Sequence, residues 1–246
     1  LHTAETIGQW ILSNCSVGDD WKGFSGGETH WSIKEKWRSV EHNVDCVAFF
    51  DNLFQLTGKK EWETARENAR TLVKACYFNN QYYITGTGLA MDLNKDVVPT
   101  DTQSWTSLAK IDPSTEERSL KFMIDAMGAQ SAGFEGAKFA MYGREIQNEA
   151  TAGAAMALWL ARDKNPKFET TALKYLQSLE NQLTKAPNSI GYGIVATPAS
   201  EADTGPGLGW KYFNLLHVAS TAWTGLAFLA KEKASANPYA GLAAWG

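Results

Sequence analysis

The apolar positions along the chain repeat at the three- and four-residue spacing of amphipathic helices, and four of these stretches begin directly after a polar cluster. The four clusters are residues 41–45, 100–103, 147–149 and 217. After the first three, a second helical pattern follows with charged residues opposite its apolar face. The pattern therefore predicts helix hairpins, each with an inner helix that begins at a polar cluster and an outer helix exposed to solvent.

The same periodicity predicts the positions of the individual elements. Helices are predicted over residues 4–14, 44–56, 62–76, 101–109, 112–127, 150–161, 168–183 and 218–231. Residues 82–88 and 190–195 have the pattern of short strands, while the glycine- and aromatic-rich stretches 15–38 and 128–143 are predicted as loops. Because a hairpin of this length cannot bury both faces alone, we expect the hairpins to close on themselves into a ring. The prediction is an all-α fold, an α/α toroid with short β-hairpins in its loops, forming a single domain over residues 1–246.

Composition narrows the classes of function. With 44% hydrophobic and 20% charged residues the chain can form a sizeable core. A net charge of −4 without any run of Lys and Arg argues against nucleic acid as a partner, and no apolar run reaches the length of a membrane span. The chain begins at Leu1 without a signal-like segment, which fits a mature or trimmed chain, and we expect a secreted or periplasmic location.

The cysteine and histidine patterns give no support for a metal or a cofactor. The chain has three cysteines, Cys15, Cys46 and Cys76, so at most one disulfide can form. They lack CxxC spacing, and the last two lie on apolar stretches of predicted helices. The four histidines are scattered without the spacing of a metal site. We therefore predict no metal and no cofactor.

Four strings carry a resemblance to a known superfamily: WRSVEHNVD at 37–45, DTQSW at 101–105, NEAT at 148–151 and WKYFNLLH at 210–217. In these strings the chain resembles the six-hairpin glycosidase superfamily. The resemblance implies an α/α toroid that binds polysaccharide in a cleft at the starts of its inner helices. The sequence shows about four hairpins rather than six. Either divergent segments complete the toroid, or an N-terminal part is missing.

Carboxyl groups at the starts of the inner helices are the candidates for catalysis. Glycoside hydrolysis uses one protonated and one ionised carboxyl group. Glu41 is the first candidate for the general acid because it lies beside His42 and Asp45 in an aromatic setting, although a helix dipole would oppose that role by lowering its pKa. Asp101 and Glu149 are the candidates for its partner, and each has an ordinary alternative role at a helix start.

The polar and aromatic side chains near these carboxyls are candidates for binding a sugar. Tryptophan faces stack on sugar C–H groups, and amides, hydroxyls and imidazoles bond to sugar hydroxyls. Asp45 is a candidate for orienting a catalytic water or for pairing with Arg38. The predicted substrate-binding residues are His42, Asp45, Gln103, Trp105, Trp37, Trp210, Tyr212 and His217.

Three functions remain open from the sequence. The first is a hydrolase that cleaves a glycosidic bond in a poly- or oligosaccharide by carboxylate acid/base catalysis in a Trp-lined cleft. The second is a polysaccharide lyase, in which His42 or His217 and a tyrosine abstract a proton next to a uronate. The third is a non-catalytic glycan-binding toroid. All three have a carbohydrate partner, and the sequence leaves the oligomeric state open.

Overall fold

A computed structural model of the protein describes residues 1–16, 21–29, 33–90, 92–187, 191–205 and 209–236. His30 and Trp31 of the first predicted loop, and Ile190 at the start of the second predicted strand, lie outside the described residues. No helix in the described ranges is long and apolar enough to cross a membrane.

The described residues form eight α-helices and ten short strands. The helices are α1 (His2–Asn14), α2 (Val40–Thr57), α3 (Lys60–Ala75), α4 (Asp101–Leu108), α5 (Glu116–Met127), α6 (Asn148–Leu160), α7 (Pro166–Glu180) and α8 (Val218–Ala236). The strands are β1 (Tyr77–Phe78), β2 (Tyr82–Tyr83), β3 (Gly86–Thr87), β4 (Leu93–Asn94), β5 (Gly128–Ser131), β6 (Phe134–Ala137), β7 (Thr184–Lys185), β8 (Tyr192–Gly193), β9 (Glu201–Asp203) and β10 (Lys211–Phe213). Consecutive strands pair as five antiparallel two-stranded ribbons. The prediction of a mainly helical fold with short β-hairpins is confirmed, and the closed toroid stays a prediction.

The predicted start of α2 and the predicted loop at 128–143 were wrong, each for a local reason. Helix α2 begins four residues before the predicted start at 44, because Ser39 caps it by accepting a hydrogen bond from the His42 N–H at 3.2 Å. The predicted loop 128–143 contains the β5–β6 hairpin, which turns at Ala132 and Gly133, both with positive φ. The cluster 41–45 therefore lies inside the first turns of α2 rather than before it.

The chain divides into two compact units. The first comprises residues 1–98 and 109–113, and the second comprises residues 99–108 and the chain from 114 onwards. The predicted single domain over residues 1–246 stays a prediction.

In the first unit the core forms where α2 packs on α3. The rings of Phe50 and Trp62 stack 5.8 Å apart, and Phe24 from the preceding loop packs 5.4 Å from Phe50. Helix α1 approaches closely at Gly8, where a Cβ atom would lie 2.9 Å from the Trp62 ring. Aromatic packing of this kind ties the glycine-rich loop to the helices.

The same loop is anchored through a buried amide on α2. The Asn43 Oδ1 accepts from the Phe24 N–H at 2.7 Å, and its Nδ2 donates to the Phe24 carbonyl at 2.9 Å. Asn43 has no accessible surface. A polar residue from the predicted cluster thus holds the loop in place rather than facing solvent.

The start of α2 is held by a segment that follows the β1–β2 ribbon. The Val40 N–H donates to the Thr85 carbonyl at 2.8 Å, and the Thr87 N–H donates to the Arg38 carbonyl at 2.8 Å. Between them Gly86 has a φ of 137°, and a Cβ atom there would lie 2.0 Å from the Arg38 carbonyl oxygen. We call residues 85–87 the first bridging segment.

In the second unit a corresponding segment joins the starts of α4 and α6. The Thr100 N–H donates to the Phe139 carbonyl at 2.9 Å, and the Gln147 N–H donates to the Ala137 carbonyl at 2.9 Å. The Thr100 hydroxyl also donates to the Lys138 carbonyl at 2.6 Å. Residues 137–139 are the second bridging segment.

A third segment joins the starts of α6 and α8. The Asn148 N–H donates to the Ala196 carbonyl at 2.8 Å, and the His217 N–H donates to the Ile194 carbonyl at 2.9 Å. Residues 194–196 are the third bridging segment. Through the second and third segments, α4, α6 and α8 all begin at the same end of this unit.

Helix α6 is the centre of the second unit and packs against α4, α7 and α8. Every residue from 148 to 159 except Glu149 is buried, and most of them are small. Ala152 contributes to a core cluster with Leu179 and Ile194, against which Trp223 packs. Small side chains let the neighbouring helices approach closely, as the sequence predicted.

Replacing the glycine of the first bridging segment tests whether the backbone contact holds α2. Gly86→Ala should lower the free energy of unfolding by at least about 2 kcal/mol, because the new methyl meets a carbonyl oxygen and the φ is unfavourable for alanine. In Gly225→Ala, on α8, nothing lies within 4 Å of the new Cβ. This control should gain up to about 1 kcal/mol from helix propensity. Urea denaturation measures both, and a Gly86→Ala protein as stable as the wild type would contradict the proposed constraint.

Candidate functional site

Four of the predicted site residues lie around the start of α2 in the first unit. Glu41 lies in the first turn and Asp45 one turn later. Because side chains four residues apart share a helix face, the Cβ atoms of these two carboxyl residues lie about 5–6 Å apart. The ring of His42 lies 5.7 Å from that of Trp37, which precedes the helix. The structure thus places two carboxyls, an imidazole and an indole along nine consecutive residues.

The Asp45 carboxyl has a strongly raised pKa. Desolvation by the surrounding protein, followed by the nearby Glu41 carboxyl, raises the pKa of Asp45 to about 6, and His42 partly opposes the rise. The residue as a whole is exposed, whereas its carboxyl is partly desolvated by the protein around it. The pKa depends on the surroundings of the carboxyl itself rather than on the exposure of the whole residue.

This raised pKa belongs to a different residue from the one that the sequence favoured as the general acid. The sequence favoured Glu41 as the general acid, yet the raised pKa belongs to Asp45, which lies one turn further into the helix. The alternative ion pair with Arg38 does not form among the described residues. Arg38 is buried, and its Nη1 donates to the Lys36 carbonyl at 3.1 Å.

Trp37 packs against the backbone of the glycine-rich loop. A Cβ atom on Gly26 would lie 2.3 Å from the indole, so the ring lies directly on the glycine backbone. The Gly26 N–H donates to the Trp37 carbonyl at 2.9 Å. Trp37 remains half-buried and keeps a partly accessible surface beside His42.

In the second unit, Gln103 is buried in the structure, and its predicted contact with substrate stays a prediction. Its side chain has no accessible surface. The Nε2 donates to the Pro99 carbonyl at 3.1 Å, and the Oε1 accepts from the Ser119 hydroxyl at 2.9 Å. Gln103 therefore joins α4 to α5.

Trp105 packs between inner helices. Its ring stacks on that of Trp223 with centroids 5.0 Å apart, and a Cβ on Gly153 would lie 3.3 Å from its Nε1. The indole is half-buried. Because Gly153 has no side chain, the Trp105 ring fits against α6. Much of the ring therefore packs between α4, α6 and α8.

The other two predicted catalytic carboxyls occupy the first turns of their helices, as expected from the sequence. Asp101 opens α4, and Glu149 is the half-buried second residue of α6. The Gln147 side chain caps α6 through the Ala150 N–H, and its Nε2 lies 3.4 Å from the Glu149 Oε2. Because the bridging segments hold α4 and α6 side by side, both carboxyls belong to the same end of this unit.

Tyr212 and His217 lie together at the start of α8. The Tyr212 ring meets that of His217 edge-on with centroids 5.8 Å apart, and it lies 6.0 Å from the ring of Phe139. Trp210 is exposed. The sequence missed Phe139, because it lies in the stretch predicted as a loop, where aromatic content was the only signal.

The described residues contain no group of three or more His, Cys, Asp or Glu side chains that could hold a metal ion. The absence of a metal and of a cofactor stays a prediction.

No known protein family and no curated protein sequence matches the chain. Several solved structures do. A possible member of glycoside hydrolase family 105 from Salmonella enterica serovar Paratyphi A is 11% identical, with a TM-score of 0.68 over 94% of this chain and 65% of that one. A family 76 glycoside hydrolase from Bacteroides thetaiotaomicron is 9% identical, with a TM-score of 0.66 over 98% of this chain and 54% of that one.

A third structure is a UGL variant in which an aspartate is replaced by asparagine, combined with the oligosaccharide dGlcA-Glc-Rha-Glc. It is 12% identical and gives a TM-score of 0.60 over 94% of this chain and 66% of that one. The chain spans between about half and two thirds of the length of these three structures. In its fold, this chain is similar to the six-hairpin glycosidase-like glycoside hydrolases.

Proposed function

We propose that this protein is a glycoside hydrolase that cleaves an oligo- or polysaccharide by carboxylate acid/base catalysis. The observation that carries the proposal is the Glu41–Asp45 pair, in which Asp45 has a pKa of about 6 at the start of α2. A general acid must hold its proton near the working pH, and burial beside a second carboxyl is a common way to achieve this. The fold shared with glycoside hydrolases supports the same conclusion.

In the proposed mechanism, Asp45 donates its proton to the leaving oxygen of the scissile bond. Glu41 contributes to the raised pKa of Asp45 through repulsion between the two carboxylates. His42 and the accessible part of Trp37 are proposed to contact the sugar. Asp101 and Glu149, which belong to the second unit, remain catalytic candidates from the sequence alone.

The fold neighbours suggest which substrates to try first. They include a family 76 mannosidase and the UGL variant with an oligosaccharide whose first residue is dGlcA. We therefore propose a neutral mannan or a uronate-containing oligosaccharide as the substrate class.

The lyase alternative has less support, because it needs free cations to neutralise a uronate. The sequence places only Arg38, Arg144 and Lys211 near the predicted mouth, and two of these three cations form salt bridges. Lys211 forms a salt bridge with Glu201 at 2.6 Å, and Arg144 lies 3.6 Å from Asp203.

Asp45→Asn should make the protein more stable at neutral pH. Below about pH 4, near the ordinary pKa of 3.8, Asp45 is protonated in both the folded and unfolded chains, so burial has no electrostatic cost. Between about pH 4 and 6 the folded state holds more protons, so wild-type stability falls relative to the variant as the pH rises, and the difference levels off above about pH 6. Melting temperatures across this range would show it. A constant offset from pH 4 to 8 would contradict the raised pKa.

Asp45→Asn should also reduce kcat by a factor of about 10² or more, the usual contribution of a general acid. Glu41→Gln should lower the pKa of Asp45 and move the alkaline limb of the pH–rate profile to lower pH. Release of reducing ends from mannan and uronate oligosaccharides measures the kcat of Asp45→Asn and the pH–rate profile of Glu41→Gln. Asp101→Asn and Glu149→Gln are assayed in the same way.

Glu169→Gln is the matched control for these carboxyl variants. Glu169 also lies in the first turn of a helix, but on α7, where it is exposed. Its loss should leave kcat unchanged. If Asp45→Asn keeps full activity while folded, the proposed acid is wrong.

A further inference from the structure

His217 caps the start of α8 with its ring. Its Nδ1 lies 3.3 Å from the Ser220 backbone N–H, which donates to it, and 2.9 Å from the Ser220 hydroxyl. Its carbonyl accepts the first hydrogen bond of the helix from the Thr221 N–H at 3.0 Å. The imidazole therefore accepts the backbone hydrogen bond that a Ser or Asp side chain usually accepts at a helix start.

This cap determines which ring nitrogen carries the proton. A backbone N–H can only donate, so the Nδ1 that it meets must present a lone pair. In the neutral imidazole the hydrogen then lies on Nε2. Ser220 is buried and fixed in the first turn of α8, so the ring cannot exchange the two roles without losing the cap.

The Nε2–H is left for a ligand. Among the described residues it has no hydrogen-bond partner, and the ring is half-buried, with one edge against Tyr212. Phe139 continues the same line of rings beyond Tyr212. We call Phe139, Tyr212 and His217 the aromatic row.

The aromatic row lies at the end of the second unit where the inner helices begin. Phe139 belongs to the second bridging segment, which holds the start of α4, and His217 is held by the third. Asp101 and Glu149 open the helices at this same end. A row of rings with one fixed N–H donor matches a sugar, which has apolar C–H faces and oxygen acceptors around its edge.

Resting on the proposed function, we propose that His217 is a specificity-determining residue for the glycan. Its Nε2–H donates a hydrogen bond to a sugar oxygen, while the aromatic row contacts the sugar face. The acceptor is either a hydroxyl of a neutral sugar or the carboxylate of a uronate.

Two substitutions separate the cap from the donor. His217→Asn places an amide oxygen where Nδ1 lies, so the cap and the melting temperature should be kept, but the donor at the position of Nε2 is lost. His217→Gln can place an amide N–H at that position while capping poorly, so it should melt earlier and still bind. Calorimetric titration with mannotetraose and with dGlcA-Glc-Rha-Glc measures the dissociation constant of each variant.

We expect His217→Asn to raise the dissociation constant by roughly threefold to tenfold, the usual effect of one neutral hydrogen bond. His217→Gln should recover most of that loss. A fall in affinity for mannotetraose identifies a hydroxyl as the acceptor, because that glycan has no carboxylate. If the wild type binds a glycan and His217→Asn binds it equally well, this proposal is overturned while the proposed function stands.

The ring nitrogen of His217 that carries the proton can be identified without a glycan. Nitrogen-15 spectra at neutral to alkaline pH, assigned through the signals missing from His217→Asn, should show a bare Nδ1 and a protonated Nε2. A proton on Nδ1 would overturn the proposal directly. A wild type that binds neither glycan counts against the proposed function and against the ligand proposed here.

Discussion

The structure depends on backbone hydrogen bonds that hold the starts of the inner helices. An α-helix leaves its first N–H groups without partners, and the chain entering it must also be held. The three bridging segments supply carbonyl partners for N–H groups at or just before these helix starts. In the second unit one helix start is joined to the next, so the polar side chains of α4, α6 and α8 are presented together. The candidate residues Asp101, Glu149 and His217 take their positions from this framework.

Sequence reasoning located the helix hairpins because burial on one face imposes a regular spacing of apolar residues. It also identified the polar clusters, but it could not separate their members. Asn43 and Gln103 are chemically suited to binding a sugar, yet both are buried and bonded to the protein. Phe139 reaches Tyr212 only through tertiary structure. Which way a polar or aromatic residue faces depends on packing between distant segments, which local spacing does not encode.

The electrostatics of α2 illustrate the same limit. The helix dipole argument concerns the first turn and applies to Glu41, whereas the surroundings that raise the pKa of Asp45 come from the folded chain around it. A carboxyl kept partly desolvated beside another carboxyl costs folding free energy. Such costs are typical of sites retained for chemistry rather than for stability.

The bridging segments also bear on how this fold can diverge. Most of their hydrogen bonds join one main chain to another, so they place few demands on side-chain identity, with Gly86 as an exception imposed by close approach. Residues at the helix starts whose side chains make no bond to these segments can then be exchanged without loosening the framework that positions them. A scaffold held mainly by its backbone tolerates wide change in its side chains, which is consistent with structures of similar fold sharing as little as 9% of their residues with this chain.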